Sequence, residues 1–343
     1  MTFSKSFAAC ITASMALVAS AFPAAASDTS LTIYTTTAPE ALKQYAARFN
    51  AVHPDIKVNW IRDSTGVIAA KVVAEGVNSK ADLIHVLGTS EIINIDQAGL
   101  LQPYKPKGFE TVDARFKDNQ EPPRWTGLYV MDAVVCFNTV EAKKKGIPAP
   151  ETWADLAKPI YKGQVVMPNP NSSGVGFMSL SGWLQTLGDE KGWSFIDALN
   201  QNVAVYVHSG AQPCSMAASG DYVAGISFGY RGAMEKGRKA PIELIYPKDG
   251  ISWELNGAAI LKSTKNPEAA QKFMDWAISE DAFKLYAQDY AVVARPELST
   301  PIANYPPDTA KALIKNDLYW ATKNRPAILA KWKERYDGKS AKK

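Results

Sequence analysis

The spacing of apolar and polar residues along this chain alternates between that of β-strands and that of α-helices. Short apolar runs at residues 31–34, 56–61 and 82–87 are typical of buried strands, and a segment with apolar residues at helical spacing follows each of them. Pro39 suits the first turn of the first such segment, and we expect a threonine before it to be the N-cap. Strands that alternate with helices predict an α/β fold with a largely parallel sheet.

The pattern changes once and then resumes. Residues 102–126 are rich in Pro, Lys and Gly, and the apolar strand at 128–137 is long enough to run from one domain into another. Strands and helices then alternate again before the chain returns. We therefore predict two lobes, with a ligand cleft between them at the carboxyl ends of their strands. The first lobe comprises residues 27–130 and 252–343, and the second comprises residues 131–251.

The first 26 residues are typical of a secretory signal peptide. Lys5 is their only charged residue, an apolar stretch follows it, and small residues end the segment. We expect cleavage after about Ala26 and an exported, periplasmic protein. No later stretch approaches the length of apolar sequence that a membrane helix needs.

Composition and charge exclude several classes of function. Hydrophobic residues at 46% and charged residues at 21% are ordinary for a globular protein. The formal charge of +4 includes Lys5, and the only dense basic run is the C-terminal tail, so a nucleic-acid partner is not expected.

Cysteine and histidine spacing matches no metal site. His53, His85 and His208 are scattered, and we predict neither a metal nor a cofactor. Cys136 and Cys214 remain after export, and either a disulfide or two buried free thiols fits the sequence.

Four turns between a predicted strand and a helix share hydroxyl groups and small residues. A helix N-terminus presents unpaired N–H groups and partial positive charge, so such turns can receive an anionic oxygen. Any single turn could equally be a plain N-cap, but four in one chain, two in each lobe, favour ligand contact. The candidate residues in these turns are Thr36, Thr37, Ser64, Thr65, Ser172, Ser173, Gly174 and Ser209.

Further candidates follow a strand end or lie at the predicted crossings between lobes. Tyr230 and Arg231 come after the strand that ends near residue 228, where Arg231 either pairs with an oxyanion or covers a surface. Asp132, Trp253 and Glu254 lie at the crossings, where an aromatic face beside a carboxylate suits an ammonium group. A packing or hinge role explains each of these three equally well. Together the turns and crossings suggest a ligand with an oxyanion at one end and a cation at the other.

A set of segments spread along the chain carries a family resemblance. These segments are residues 31–37, 81–84, 146–148, 152–156, 167–170, 172–174, 266–270 with Phe273, and 293–296. On them the chain resembles the type II periplasmic solute-binding proteins, in the branch of ferric-iron, thiamine, polyamine, sugar-phosphate and phosphonate binders. Within that branch it is most similar to the 2-aminoethylphosphonate-binding components of ABC importers. Ferric-binding members use adjacent tyrosines, and no Tyr-Tyr pair occurs here, which argues against iron.

The resemblance implies a monomeric, two-lobed protein that closes on a small solute and delivers it to an inner-membrane permease. It implies no catalysis. Asp132 and Glu254 are the partners that we propose for the amino group. Carried onto matching positions, the resemblance implies that the phosphonate is held by Thr36, Thr37, Ser64, Thr65, Ser172 and Ser173.

Three alternatives stay open. The same fold could hold another solute, such as a polyamine, a phosphate ester or a thiamine-like cation. An enzyme acting on phosphonates would need a nucleophile with its base, a metal cluster or a nucleotide loop, and the sequence contains none of these patterns. A partner of a membrane sensor is also compatible with the fold.

Overall fold

The structure is a computed structural model, and it describes residues 1–2, 29–306 and 309–342. The predicted signal peptide lies outside the described residues except for its first two. Among the helices of the described ranges, none is both long enough and apolar enough to span a bilayer.

Strands and helices alternate through most of the described chain, as the periodicity predicts. The strands are β1 (Thr29–Thr35), β2 (Ile56–Arg62), β3 (Leu83–Gly88), β4 (Leu101–Gln102), β5 (Thr126–Asn138), β6 (Val165–Pro168), β7 (Val203–Val207), β8 (Ala224–Phe228), β9 (Ile242–Ile245) and β10 (Trp253–Leu261). The helices are α1 (Pro39–Val52), α2 (Thr65–Glu75), α3 (Thr89–Gln97), α4 (Thr139–Lys145), α5 (Gly174–Leu187), α6 (Asp189–Asn202), α7 (Gln212–Ser219), α8 (Gly229–Gly237), α9 (Pro267–Ala277), α10 (Glu280–Asp289), α11 (Thr309–Ala312) and α12 (Leu318–Tyr336).

Each lobe has a mixed sheet rather than a wholly parallel one. In the first lobe β2, β1 and β3 are parallel neighbours, and β10 runs antiparallel to β3. In the second lobe β7, β6 and β8 are parallel, and β5 runs antiparallel to β8. The antiparallel strands are those that carry the chain between the lobes, because a chain that returns to its starting lobe must reverse direction.

Strand β5 belongs to both lobes. Residues 126–132 pair with β10, whereas residues 133–138 pair with β8 and β9. All but one of its residues are buried, which explains why the sequence of this strand is apolar on both sides of Asp132. The strand therefore connects the two sheets as one continuous element.

The C-terminal helix departs from the predicted division of the chain. That division gives residues 252–343 to the first lobe, but Ile328, Trp332 and Tyr336 of α12 pack in the core of the second lobe. Near its middle, α12 contacts the first lobe through an ion pair of 2.6 Å between Arg325 and Glu91. The helix thus contacts both lobes, and its apolar residues pack in the core of the second lobe.

Cys136 and Cys214 form a disulfide, which decides between the two possibilities left open by the sequence. The bond joins β5 to α7 with a Cα–Cα separation of 5.2 Å. Both residues are fully buried in an apolar cluster with Val134 and Leu244. The disulfide therefore links α7 of the second lobe to β5, the strand that crosses between the lobes.

The first helix begins one residue later than the predicted threonine cap. Its N-cap is Ala38, and Pro39 occupies the first turn as expected. Thr37 hydrogen-bonds with Thr35 instead, since its N–H donates to the Thr35 hydroxyl at 3.0 Å. The prediction of a threonine cap was wrong, and the N-terminus of α1 has no side-chain cap.

Candidate functional site

A cavity of about 180 Å³ lies between the two lobes, where the parallel strands end. Turns that follow β1 and β2 line it from the first lobe, and turns that precede α5, α7 and α8 line it from the second. Tyr129 and Met131 of β5 form part of its wall. The cleft expected from the strand and helix order is therefore present, at the carboxyl ends of the strands.

Five helices begin at this cavity. Residues of the first turn or the N-cap of α1, α2, α5, α7 and α8 are all among its lining residues. The N-termini of α1, α2, α7 and α8 have no side-chain cap, whereas the Ser173 hydroxyl caps α5 by accepting from the Gly176 N–H. The N-terminal end of each helix carries partial positive charge, so the convergence of five such ends attracts an anion, although at α2 the Gly66 N–H is already used by the Ser172 carbonyl.

Most of the predicted turn residues line the cavity. The structure brings together Thr36, Thr37, Ser64, Thr65, Ser173, Gly174 and Ser209. Thr36 Oγ1 donates to the Val86 carbonyl at 2.8 Å, and Ser209 Oγ accepts from the Ala211 N–H at 3.3 Å. The hydroxyls of Ser64 and Thr65 make no hydrogen bond to any described residue, which leaves them free for a ligand.

Ser172 is the predicted turn residue that does not line the cavity. Its hydroxyl donates to the His208 carbonyl at 2.9 Å, and its own carbonyl accepts from the Gly66 N–H at 3.2 Å. The predicted contact of Ser172 with the phosphonate is therefore not supported. Its role is to join the two lobes at the rim of the cavity.

Asp132 and Glu254, which we proposed as partners of an amino group, lie outside the cavity. Neighbouring residues of a strand point to opposite faces, so Met131 faces the cavity and Asp132 faces away from it. Asp132 accepts a hydrogen bond from the Tyr246 hydroxyl, and burial raises the pKa of its carboxyl to about 6. Glu254 accepts from the Ser90 hydroxyl at 2.7 Å, and burial raises the pKa of its carboxyl to about 7.

Trp253 also lies outside the cavity. Its indole N–H donates to the Ile314 carbonyl at 2.8 Å, and its ring packs against Phe116. These contacts fix the start of β10 at the crossing between lobes. Trp253 therefore has the packing role that the sequence left open, and not the ligand contact.

Tyr230 and Arg231 both line the cavity, at the start of α8. The Arg231 guanidinium is held by Glu235, at 2.5 Å, and by the Ser215 hydroxyl, at 2.8 Å. Its charge is therefore balanced by a carboxylate one turn along the same helix. Tyr230 faces Tyr290, with 5.4 Å between ring centres.

Several lining residues escaped the sequence analysis. Glu40, Arg62 and Asp63 flank the predicted turns, and extending each turn by a few residues would have found them. Arg62 Nε donates to the Thr37 carbonyl at 2.9 Å, so it links the two turns of the first lobe. Tyr129 and Tyr290 also line the cavity, with rings stacked at 3.7 Å, but they are remote in sequence and give no local signal.

The two lobes touch each other at the rim of the cavity. Gly66 in the first lobe donates its N–H to Ser172 in the second, and His208 Nε2 lies 3.6 Å from an Asp63 carboxylate oxygen. A Cβ atom added to Gly174 would lie 2.6 Å from Thr65 Oγ1. Such contacts are those of a closed arrangement of the lobes.

Among the described residues there is no group of three or more His, Cys, Asp or Glu side chains that could hold a metal ion. The lining of the cavity combines helix ends, hydroxyls and aromatic rings with the charged residues Glu40, Arg62, Asp63 and Arg231. The cavity is suited to binding a small molecule, because hydrogen-bond donors and partial charges surround a space of that size.

The family of bacterial extracellular solute-binding proteins matches residues 78–323 of this sequence. The chain belongs to that family. An uncharacterized protein of Haemophilus influenzae is 32% identical over 289 residues, which cover 81% of this chain and 82% of the relative. A protein of Sinorhizobium fredii described as a probable ABC transporter periplasmic-binding protein is 26% identical, over 84% of this chain and 80% of its own length.

The solved structures bear out the fold. The periplasmic binding protein AfuA from Actinobacillus pleuropneumoniae, with fructose-6-phosphate bound, superposes with a TM-score of 0.82 at 27% identity. The match covers 91% of this chain and 99% of that protein. The predicted two-lobed periplasmic binding protein fold is therefore confirmed, with mixed sheets and flanking helices.

Proposed function

We propose that this solute-binding protein is the periplasmic component of an ABC importer and that its ligand is 2-aminoethylphosphonate. The convergence of five helix N-termini on one cavity carries the proposal. A phosphonate offers three oxygens to the N–H groups and partial positive charge of such ends. The description of the Sinorhizobium fredii relative supports the importer role.

The free hydroxyls of the first lobe add to this argument. Ser64 and Thr65 line the cavity, and neither hydroxyl is used by another described residue. Gly174 faces them from the second lobe, where the absence of a side chain leaves the backbone of α5 open to close approach. Donors from both lobes can therefore reach one oxyanion, and that shared contact favours the closed arrangement.

A phosphate ester is the second candidate. The observation that favours it is the structural similarity to AfuA, which has fructose-6-phosphate bound. The same helix ends would hold its phosphate group, and the rest of the ligand would lie against the aromatic wall. Catalysis is not part of either proposal, since the Sinorhizobium fredii relative is described as a probable periplasmic-binding protein and AfuA is a periplasmic binding protein.

Thermal unfolding of the protein without residues 1–26 tests the ligand assignment. The ligands are 2-aminoethylphosphonate, ethylphosphonate, phosphate, fructose-6-phosphate, putrescine, thiamine and ferric citrate. A ligand at about 1,000 times its Kd stabilises the folded state by roughly 4 kcal/mol, which raises Tm by several degrees in a chain of this size. A large shift with 2-aminoethylphosphonate and a smaller one with phosphate supports the proposal. A shift with fructose-6-phosphate alone favours the second candidate, and a shift only with putrescine, thiamine or ferric citrate refutes both.

A further inference from the structure

A second cavity of about 340 Å³ lies beside the first and shares two of its lining residues, Tyr230 and Met234. Helix α8 thus contributes residues to the lining of both spaces. The opposite side of the second cavity is formed by the end of α10 and by the loop that follows, residues 300–303. We call this space the recess.

The recess contains a carboxylate without a partner. Asp289, the last residue of α10, lines the recess and is partly buried. Its side chain makes no hydrogen bond or ion pair with any described residue, and burial raises the pKa of its carboxyl to about 6. A desolvated carboxylate without a partner is costly, and a cation beside it would lower that cost.

The surroundings of Asp289 also favour a cation. The C-terminal end of a helix carries partial negative charge, and Asp289 adds a full charge at that end of α10. Among the described residues that line the recess there is no lysine or arginine. The Tyr230 ring forms part of the wall, and the face of an aromatic ring attracts an ammonium group.

A second carboxylate acts on the same tyrosine from the main cavity. Burial raises the pKa of Tyr230 to about 12, the charges of Asp289 and Glu40 add to that effect, and those of Arg231 and Arg238 oppose it. Glu40 lines the main cavity and makes no ion pair or hydrogen bond through its side chain with any described residue. Negative charge is therefore present on both sides of Tyr230, while the uncapped helix ends of the main cavity attract anions.

We propose that Asp289 and Tyr230 form a subsite for the ammonium group of a ligand whose oxyanion lies at the helix ends of the main cavity. This inference rests on the proposed function and assigns the cationic end that Asp132 and Glu254 do not provide. The ligand class is a zwitterion with a phosphonate or phosphate group at one end and an amine at the other. Glu40 contributes charge from the main cavity.

Calorimetric titration of matched ligands tests the subsite. Asp289→Asn removes the charge and keeps the shape of the side chain, so we expect its affinity for 2-aminoethylphosphonate to fall about ten- to a hundredfold. Its affinity for ethylphosphonate, which has no amine, stays within about twofold of the wild-type value, because the helix ends are unchanged. Glu268→Gln is the control, since Glu268 is an exposed carboxylate in the first turn of α9 without a hydrogen-bond or ion-pair partner among the described residues.

Each other outcome has a distinct meaning. An Asp289→Asn variant that binds 2-aminoethylphosphonate as the wild type does, or that loses both phosphonates equally, overturns the subsite. If the wild type binds neither phosphonate, the proposed function fails, and putrescine then decides the subsite. Weaker putrescine binding by Asp289→Asn than by Glu268→Gln supports a cation subsite, and equal or absent binding overturns it. The Tm of each variant without ligand checks that the fold is retained.

Discussion

Buried carboxylates mark the places where the chain crosses between lobes. Glu254, at the start of β10, accepts a hydrogen bond from Ser90 and lies near the ion pair of Arg325 and Glu91. Burial is the largest influence on its pKa, which rises from an ordinary value of 4.5 to about 7. The residue is only 5% exposed, so solvent screens it little.

Replacement of Glu254 by Gln should change how stability depends on pH. Because the folded-state pKa lies above the unfolded one, the folded protein binds more protons between about pH 4.5 and 7, and its free energy of unfolding falls as the pH rises through that window. Glu254→Gln removes this contribution. We expect the wild type to lose about 2 kcal/mol relative to the variant between pH 5 and pH 8. Denaturant unfolding of both proteins at the two pH values measures the difference, and equal changes would mean that Glu254 is ionised throughout.

Helix N-termini in this protein are of two kinds. Ser279 caps α10, because its hydroxyl accepts from the Ala282 N–H at 3.2 Å. Ser64 occupies the same position at α2, but its hydroxyl makes no cap and faces the cavity. The same residue type therefore stabilises one helix and remains available for a ligand at the other.

This difference predicts that a serine-to-alanine substitution affects stability at one position and ligand affinity at the other. Ser279→Ala should lower the free energy of unfolding by about 1 kcal/mol, because a cap is lost, and leave ligand affinity unchanged. Ser64→Ala should leave stability nearly unchanged and weaken 2-aminoethylphosphonate binding about tenfold, because a hydrogen bond to a charged group is lost. Denaturant unfolding and calorimetric titration measure the two effects. If Ser64→Ala loses stability but keeps its affinity, the role of Ser64 is that of an N-cap and not of a ligand contact.

The two lobes approach closely at one rim of the cavity. Gly66 lies in the first turn of α2, and a Cβ atom added there would lie 2.5 Å from the Asn171 carbonyl oxygen of the other lobe. Real Cβ contacts are essentially never that short, so the lobes would have to move apart. The close approach depends on a residue without a side chain.

Gly66→Ala should therefore hinder closure of the whole molecule. Alanine is favourable in a helix, so the stability of the first lobe is not expected to fall. We expect the affinity for whichever panel ligand stabilises the wild type to fall at least tenfold, with the main change in the dissociation rate. Gly338→Ala is the control, since an added Cβ there meets no atom within 4 Å. Stopped-flow binding measures the rates, and equal rates in Gly66→Ala and Gly338→Ala would show that the rim contact does not limit closure.

Local periodicity determined most of the elements and much of the site. The alternation of strands and helices, the crossing strand β5 and the turns that hold Thr36, Thr37, Ser64 and Thr65 follow from patterns within a few residues. The carboxyl ends of parallel strands meet at one edge of a sheet, and this general rule places such turns together without knowledge of the packing.

Only the tertiary structure decided which charges face the cavity. Asp132 and Asp289 are both acidic, yet Asp132 does not line the main cavity, whereas Asp289 lines the recess. The disulfide of Cys136 with Cys214 and the packing of α12 against the second lobe likewise depend on the tertiary structure. The physical reason is that a side chain's direction and partners depend on residues far along the chain, whereas secondary structure and turns depend on near neighbours.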